Sequence, residues 1–275
     1  MELHTSTIHF RSGDQDQPGY LARPAMVREP LPAVIVIQEI WGVDGHIRDL
    51  TERFAAAGYV ALAPDLYAEL GARPEALGAE RVDAVKAFLD SVPPGAWMNQ
   101  QERDRALDRL PATQAAEIRS TLGTLFSPNR DMARYLGHLR AAFTHLRSLP
   151  ACHGRRVGCS GYCLGGALSA ELACSEPGIG AAAIYYGSAP APDRLAGLSC
   201  PVAGFYGALD HRVTDGVPAF AAAMAAAGKT FTPHIYPDTP HAFFNDTRSS
   251  YRPEAARDAW ARTLALFSEH LAPLA

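Results

Sequence analysis

A cysteine inside a glycine-rich hexapeptide is the residue whose neighbours most clearly indicate chemistry. Residues 161–166 read Gly-Tyr-Cys-Leu-Gly-Gly and place Cys163 between a β-rich run and the helix-forming run 167–173. A sharp strand-to-helix turn presents a nucleophile in a strained backbone conformation, which requires small neighbours, and the helix N-terminus favours a thiolate. The hexapeptide is typical of a nucleophile elbow with cysteine in place of serine. A glycine-rich turn that merely buries a cysteine is the structural alternative.

Two later segments supply residues that could work with this cysteine. Asp210 follows the strand predicted over residues 202–206 and could orient a histidine. Its alternative role is that of a helix N-cap, for which Asp is a favoured residue, and Asp215 is the fallback acid. His241 lies in the loop after the last predicted strand. The order nucleophile, acid, histidine is one of the known orders of a catalytic triad, so His241 is the candidate base.

The elements that must position these residues follow an alternating pattern. Short β-rich runs alternate with amphipathic helical stripes, which predicts an α/β fold with a mostly parallel central sheet flanked by helices. In the closing helical pattern Pro253 comes early, where its missing N–H has no cost. The predicted strands are 33–38, 59–63, 156–160, 182–186, 202–206 and 230–236, and the first ten residues also alternate like a strand.

Residues 67–128 depart from this alternation. They hold most of the charge clusters and only broken helical stripes, so we expect a helical insertion in a single α/β domain that spans residues 1–275. The insertion follows the end of a predicted strand, at the edge of the sheet where open α/β folds keep their ligands. A lid and a decorative helical excursion are both compatible with this position.

Composition narrows the class of partner. The 275 residues include 48% hydrophobic and 20% charged residues with a formal net charge of −4. No basic field is available for nucleic acid or an acidic membrane surface, so a small molecule is the expected partner. The N-terminal segment lacks the features of a signal peptide and no apolar run reaches the roughly 20 residues that cross a bilayer, so we expect a cytoplasmic protein. The five cysteines show no metal-ligand spacing, and neither a metal nor a disulfide framework is expected.

Several motifs together give the sequence a family resemblance. Residues 38–43 (Gln-Glu-Ile-Trp-Gly-Val), 64–67 (Pro-Asp-Leu-Tyr), 161–166 and 240–243 (Pro-His-Ala-Phe) resemble the dienelactone hydrolase family. The resemblance covers nearly the whole chain outside the insertion. It implies the α/β-hydrolase fold and a carboxymethylenebutenolidase-type activity, the hydrolysis of an ester or lactone.

The resemblance also implies a mechanism without a metal or organic cofactor. Carried over to this chain, it makes Cys163 the nucleophile that forms an acyl-cysteine intermediate, His241 the base and Asp210 the orienting acid. Transfer of the acyl group to an acceptor other than water is the alternative reaction. A catalytically silent binding protein of this fold and a redox-sensing role for Cys163 are further alternatives.

The resemblance assigns three more roles around the nucleophile. Glu39 lies beside the thiol in the family and helps to control its protonation, whereas the structural alternative is a carboxylate ion-paired at a strand end. The backbone N–H groups of Ile40 and Leu164 are expected to form the oxyanion hole. Loss of one such donor typically costs about 10² to 10³ in rate.

Substrate recognition is where this chain departs from the family pattern. Dienelactone-specific members carry an arginine shortly after the catalytic histidine to hold the substrate carboxylate, and this chain has Asn245 there. Trp41, Tyr67, Phe243 and Phe244 are candidates for lining an apolar pocket, or else belong to the core, and Asn245 is a further candidate for binding the substrate. The arginines of the insertion that could bind a carboxylate are Arg73, Arg81, Arg103 and Arg105. The sequence leaves open whether the protein is a monomer or a homodimer.

Overall fold

A computed structural model describes residues 1–93 and 99–271. Within them, eight strands form one sheet in the order β1-β2-β4-β3-β5-β6-β7-β8. β1 pairs antiparallel with β2, and β2 pairs antiparallel with β4, whereas all other neighbouring strands are parallel. The strands are β1 (Leu3–Ser12), β2 (Gln15–Pro24), β3 (Ala33–Ile37), β4 (Val60–Pro64), β5 (Val157–Tyr162), β6 (Ile179–Tyr185), β7 (Val202–Gly207) and β8 (Phe231–Tyr236).

The helices agree with the stripes that the sequence predicts and add others. The closing helix begins at Pro253, as expected from a proline that needs no N–H partner there. The helices are α1 (Gly45–Ala56), α2 (Ala79–Ser91), α3 (Gln100–Leu107), α4 (Ala112–Leu125), α5 (Met132–Ser148), α6 (Leu164–Ser175), α7 (His211–Thr214), α8 (Val217–Ala226) and α9 (Pro253–His270). In the described part of the chain no helix is both long and apolar enough to cross a membrane.

The core forms because the central strands are buried on both faces. Every residue of β3, β4, β5 and β6 is buried, as expected of parallel strands covered by helices. On one face the predicted stripes of α1 and α9 meet. The ring of Phe54 lies 4.7 Å from that of Trp260 and 5.9 Å from that of Phe267. These contacts join the two helices to each other on that face of the sheet.

The hairpin of β1 and β2 contains a strand that the sequence analysis missed. Pro18 and Gly19 interrupt the pattern of β2, and such residues argue against a strand. The structure gives each a role. The Pro18 carbonyl accepts a hydrogen bond from the Asp65 N–H at 2.9 Å. A Cβ on Gly19 would lie 3.2 Å from the Ala63 carbonyl oxygen, so glycine permits the close approach of β4.

Residues Tyr67–Asp131 form a second compact unit, separate from the unit of Met1–Leu66 and Met132–Ala275. Within the second unit α2 packs on α4. Arg81 of α2 pairs with Glu75 at 3.3 Å and with Glu117 at 3.1 Å, so this predicted carboxylate-binding arginine is engaged in ion pairs. Residues 94–98 of the expected insertion lie outside the described residues. The lid role of 67–128 stays a prediction.

Candidate active site

The backbone at Cys163 has the conformation that an elbow requires. Cys163 lies between β5 and α6 with φ 55° and ψ −111°. A non-glycine residue rarely adopts positive φ, and such strain persists only where its surroundings enforce it. The Cys163 N–H donates to the Tyr185 carbonyl at 3.0 Å, and its carbonyl accepts from the Gly166 N–H at 3.0 Å. Two backbone hydrogen bonds therefore hold the turn in place.

The glycines around the elbow are required by direct backbone contact. A Cβ on Gly161 would lie 1.8 Å from the Gly165 carbonyl oxygen, and a Cβ on Gly165 would lie 2.3 Å from that of Ile37. Gly187, which follows β6, has the same constraint, because its Cβ would lie 2.3 Å from the carbonyl carbon of Gly166. The sequence analysis anticipated the need for small residues in the hexapeptide but missed Gly187.

Asp210 lies at the end of β7 and faces the histidine. Asp210 is the N-cap residue of α7, but its side chain makes no capping hydrogen bond. Instead Asp210 Oδ2 lies 2.5 Å from His241 Nδ1, and the Asp210 side chain is only 8% exposed. The fallback acid, Asp215, is 72% exposed and pairs with His211 at 3.2 Å. Of the two acids, Asp210 is the one that the fold brings to His241.

Close packing between two loops brings Asp210 and His241 together. Gly207 ends β7, and a Cβ there would lie 2.3 Å from the Thr239 carbonyl oxygen and 2.7 Å from that of Pro240. The Leu209 N–H also donates to the Thr239 carbonyl at 3.0 Å. The loop that carries the acid therefore touches the loop that carries His241. Gly207 was not singled out by the sequence analysis, and a glycine directly before the acid loop was its only signal.

His241 is held as a cation by its neighbours. Burial disfavours the imidazolium, but the electrostatic interaction with Cys163 and hydrogen bonds to Asp210 and Cys163 outweigh it and raise the pKa of His241 to about 10. About a third of the His241 side chain remains exposed. A histidine in contact with a thiol on one side and a carboxylate on the other can exchange a proton with the thiol and with a bound reactant.

Glu39 is buried between neutral donors. It follows β3 and is 2% exposed. Its Oε1 accepts from the Tyr186 hydroxyl at 3.0 Å, and its Oε2 accepts from the Asn245 amide at 2.8 Å. Within the described residues it forms no ion pair, so the ion-paired carboxylate considered from the sequence is not what the structure places there. Each oxygen of this buried carboxyl group therefore has a hydrogen-bond donor, as a buried polar group requires.

Tyr186 is a site residue that the sequence analysis missed. It follows β6 with φ 40°, another non-glycine residue in the left-handed region. Its ring lies 5.1 Å from that of His241, and its hydroxyl contacts Glu39. Burial and the nearby Glu39 charge raise the pKa of Tyr186 well above its usual range, so the hydroxyl stays protonated and donates. The signal available in the sequence was Tyr-Gly directly after a buried strand.

Of the two proposed oxyanion donors, one lies at the start of a helix and the other in a tight turn. Leu164 is the first residue of α6, and the first N–H of a helix has no acceptor inside it. Ile40 lies in the turn closed by the hydrogen bond from the Gly42 N–H to the Glu39 carbonyl, at 3.3 Å. Their role in binding an oxyanion stays a prediction.

The aromatic residues expected near the pocket are mostly part of the interior. Phe243 and Phe244 are buried and belong to the aromatic core cluster. Trp41 is 4% exposed. Tyr67 belongs to the second unit. The pocket-lining role of all four stays a prediction.

The five cysteines differ in their surroundings. Burial raises the pKa of the Cys152 thiol to about 12, that of Cys174 to about 11 and that of Cys200 to about 12, and it also raises the pKa of Cys159. These four are buried, whereas Cys163 is partly exposed. Among the described residues no cluster of His, Cys, Asp and Glu could hold a metal ion.

A mostly parallel sheet with an elbow after β5 and an acid–histidine pair after β7 and β8 defines an α/β-hydrolase fold. Residues 18–271 match the model of the dienelactone hydrolase family, and the chain belongs to that family. It is therefore a hydrolase that acts on ester or lactone bonds.

Individual relatives agree with this assignment. A protein of Saccharolobus solfataricus named "Putative carboxymethylenebutenolidase" is 30% identical over 93% of this chain and 95% of its own length. A protein of the same name from Synechocystis is 31% identical over 98% of this chain and 99% of its own length. The crystal structure of "Putative Dienelactone Hydrolase" from Klebsiella pneumoniae superposes with a TM-score of 0.73 at 29% identity and covers 98% of this chain and 100% of that chain.

Proposed function

We propose that this chain hydrolyses carboxylic ester or lactone bonds with Cys163 as nucleophile, His241 as proton carrier and Asp210 as its orienting partner. The observation that carries the proposal is the continuous contact from Asp210 through His241 to the strained turn at Cys163. A partly exposed thiol at the N-terminus of α6, in contact with an imidazolium, has the surroundings of a reactive cysteine.

The first half of the reaction breaks the ester. The Cys163 thiolate attacks the carbonyl carbon, and the C=O electron pair moves to the oxygen to give a tetrahedral oxyanion. As the oxyanion collapses, the C–O bond to the alcohol breaks and His241 protonates the departing alkoxide. For a lactone the alcohol stays attached to the acyl group, because both belong to one ring. The product is an acyl-cysteine with neutral His241.

The second half restores the enzyme. His241 takes a proton from water as the water oxygen attacks the thioester carbonyl, and collapse of the second oxyanion expels the Cys163 thiolate. The imidazolium and the thiolate then face each other as before. In both halves we assign the N–H groups of Ile40 and Leu164 to the oxyanion, because donors placed in advance stabilise developing charge without reorganisation.

The substrate class follows from the family and from the residue at position 245. The relatives bear the name of an enzyme that hydrolyses a carboxylated lactone, but Asn245 carries no charge and its amide is already bonded to Glu39. We therefore propose a small ester or lactone as substrate, with neutral compounds accepted as readily as a dienelactone carboxylate. The cytoplasmic location expected from the sequence stays a prediction.

The test is hydrolysis of p-nitrophenyl acetate, a neutral lactone and a dienelactone carboxylate by the wild type, Cys163→Ala and Cys152→Ala. Cys152 is the matched control, because it is a buried cysteine outside the site. We expect activity to be lost in Cys163→Ala and kept in Cys152→Ala.

Other outcomes would contradict the proposal. Activity retained in Cys163→Ala would exclude this nucleophile. A wild type that cleaves no compound of the panel would favour a binding protein of this fold. Release of the alcohol without free acid, in the presence of an added acceptor, would favour acyl transfer.

A further inference from the structure

Two neutral side chains of the described structure donate hydrogen bonds to the Glu39 carboxylate. An isolated buried carboxylate is expensive unless hydrogen bonds satisfy its oxygens. Here each oxygen has one donor, the Tyr186 hydroxyl at 3.0 Å and the Asn245 amide at 2.8 Å. These donors come from the loops after β6 and β8, far from Glu39 along the chain. Both fix the carboxylate in one position.

The orientation of Asn245 is determined by its own partners. Asn245 is 1% exposed. Its Oδ1 accepts from the Thr247 N–H at 3.0 Å and from the Thr247 hydroxyl at 2.6 Å. Because the oxygen faces the Thr247 N–H, which can only donate, the NH₂ group faces Glu39, and a flipped amide would lose its hydrogen bonds to both the Thr247 N–H and Glu39.

The turn that begins at Asn245 makes two further contacts, one with α1 and one with Trp41 in the turn after β3. Its hydrogen bond runs from the Arg248 N–H to the Asn245 carbonyl at 3.2 Å. Asp246 pairs with Arg53 of α1. The Arg248 guanidinium lies 5.6 Å from the Trp41 ring, within range of a cation–π contact. The loop after His241 therefore contacts the Glu39–Gly42 turn at Glu39, through Asn245, and at Trp41, through Arg248.

We propose that Asn245 is a positioning residue that fixes the Glu39 carboxylate and, through it, the turn that carries the Ile40 N–H. The inference rests on the proposed function, because it concerns the same reaction. In this role Asn245 acts as a neutral donor to a carboxylate. The residue that replaces the family's arginine thus serves the internal architecture of the site.

Two variants separate the parts of this role. Asn245→Leu keeps a similar volume but removes the donor, so Glu39 retains only Tyr186. Asn245→Asp places a second carboxyl against Glu39. The matched control is Asn129→Asp, the same substitution at an exposed position of the second unit. We expect Asn245→Leu to lower kcat about 10- to 100-fold on p-nitrophenyl acetate with little change in KM, as for loss of one hydrogen bond to a charged group. The control should keep wild-type kcat.

The pH profile of Asn245→Asp provides a readout that a purely structural role would not move. Two carboxyls in contact share a proton, because like charges raise the pKa of one of them. While the proton is held, the new carboxylic acid O–H donates to Glu39 and replaces the lost amide donor. As pH rises and the proton leaves, both groups are charged and the donor disappears. We therefore expect kcat of Asn245→Asp to approach that of the wild type at acidic pH and to fall toward or below that of Asn245→Leu at alkaline pH.

Alkylation of Cys163 by iodoacetamide keeps this test distinct from the proposed function. The reaction needs neither an ester nor the oxyanion hole. A second negative charge disfavours a thiolate in the same site, so Asn245→Asp should alkylate more slowly than Asn245→Leu at pH values where the shared proton has left the two carboxyls but the thiol is still partly protonated. At acidic pH, where the proton is retained, the two variants should alkylate equally fast. If no ester is hydrolysed but this difference is found, the proposed function fails, and the difference still reports the direct contact between Glu39 and the side chain at position 245.

Some results would overturn the inference. Wild-type kcat in Asn245→Leu, or parallel pH profiles for Asn245→Leu and Asn245→Asp, would show that Glu39 does not need this donor. If circular dichroism shows that either variant is unfolded, Tyr186→Phe replaces it, because it removes the donor to the other Glu39 oxygen and keeps the ring. We expect Tyr186→Phe to lower kcat without raising KM, and wild-type kcat in this variant would contradict the inference.

Discussion

Replacement of Asp210 by Asn tests the contact on which the proposed triad depends. Asp210 Oδ2 and His241 Nδ1 are 2.5 Å apart, and the carboxylate is buried. A hydrogen bond that involves charged groups contributes about 1.5–3 kcal/mol. Since about 1.36 kcal/mol corresponds to a factor of ten in rate, Asp210→Asn should lower kcat/KM about 10- to 100-fold.

The protonation state of His241 explains why we expect no larger effect. In serine triads the same substitution lowers kcat about 10⁴-fold, because it leaves the imidazole in the wrong tautomer. Here the pKa of His241 is raised to about 10, so both ring nitrogens already carry protons at neutral pH. The tautomer penalty is therefore absent before the thiolate attacks the substrate. The expected loss of rate comes only from the loss of the charged Asp210 acceptor.

The chain offers a matched control for this substitution. Asp215 also contacts a histidine, His211, at 3.2 Å, but both side chains are more than 70% exposed. Exposed ion pairs contribute little, so Asp215→Asn should keep kcat/KM within about twofold of the wild type. The assay is kcat/KM for p-nitrophenyl acetate from acidic to alkaline pH, with the His241 titration followed by NMR.

The sign of the pH effect follows from the causes of the raised pKa. Asp210 contributes to it, so Asp210→Asn should lower the pKa of His241, and the alkaline limb of the profile should move to lower pH. An Asp210→Asn enzyme that keeps wild-type kcat/KM, or an equal loss in Asp215→Asn, would refute the assignment of Asp210.

Two further predictions concern the elbow. Gly165→Ala should lower the free energy of unfolding, measured in urea, by at least about 1–3 kcal/mol, because the new methyl would lie 2.3 Å from the Ile37 carbonyl oxygen. In the control, Gly123→Ala in α4, the methyl meets open space and should raise the free energy of unfolding by about 0.5–1 kcal/mol. Equal effects would contradict the close contact. Cys163→Ala should lower the pKa of His241 below about 10, because the thiolate charge is removed, so the imidazolium deprotonates at lower pH in an NMR titration. An unchanged midpoint would show that the two side chains do not interact.

The parts of the site that could be predicted from the sequence are those formed by residues that are close together along the chain. The elbow is such a case, because residues 161–166 form both the strained turn and the start of the helix that follows it. The alternation of strands and stripes also predicted the mostly parallel sheet. The N-cap alternative for Asp210 could not be resolved in this way, because both roles require the same residue at the same place.

The remaining parts depend on contacts between distant segments. Tyr186 and Asn245 contact Glu39 across 147 and 206 residues of sequence, and no local pattern specifies such pairs. β2 was missed for a related reason. Pro18 and Gly19 argue locally against a strand, and only the neighbouring strand β4 explains why they are tolerated.

Because four of the five cysteines are buried, the number of thiols that react with an alkylating reagent should distinguish folded from unfolded molecules. In the native state only Cys163 is partly exposed, so a brief exposure to iodoacetamide should add one carbamidomethyl group. Unfolding exposes Cys152, Cys159, Cys174 and Cys200 as well, so each molecule that opens fully gains up to five increments of mass. Mass spectrometry then counts folded and opened molecules in the same sample. Because Cys159 lies in β5 and Cys174 in α6, the peptides that carry the label in partly labelled molecules would show which of these elements opens first.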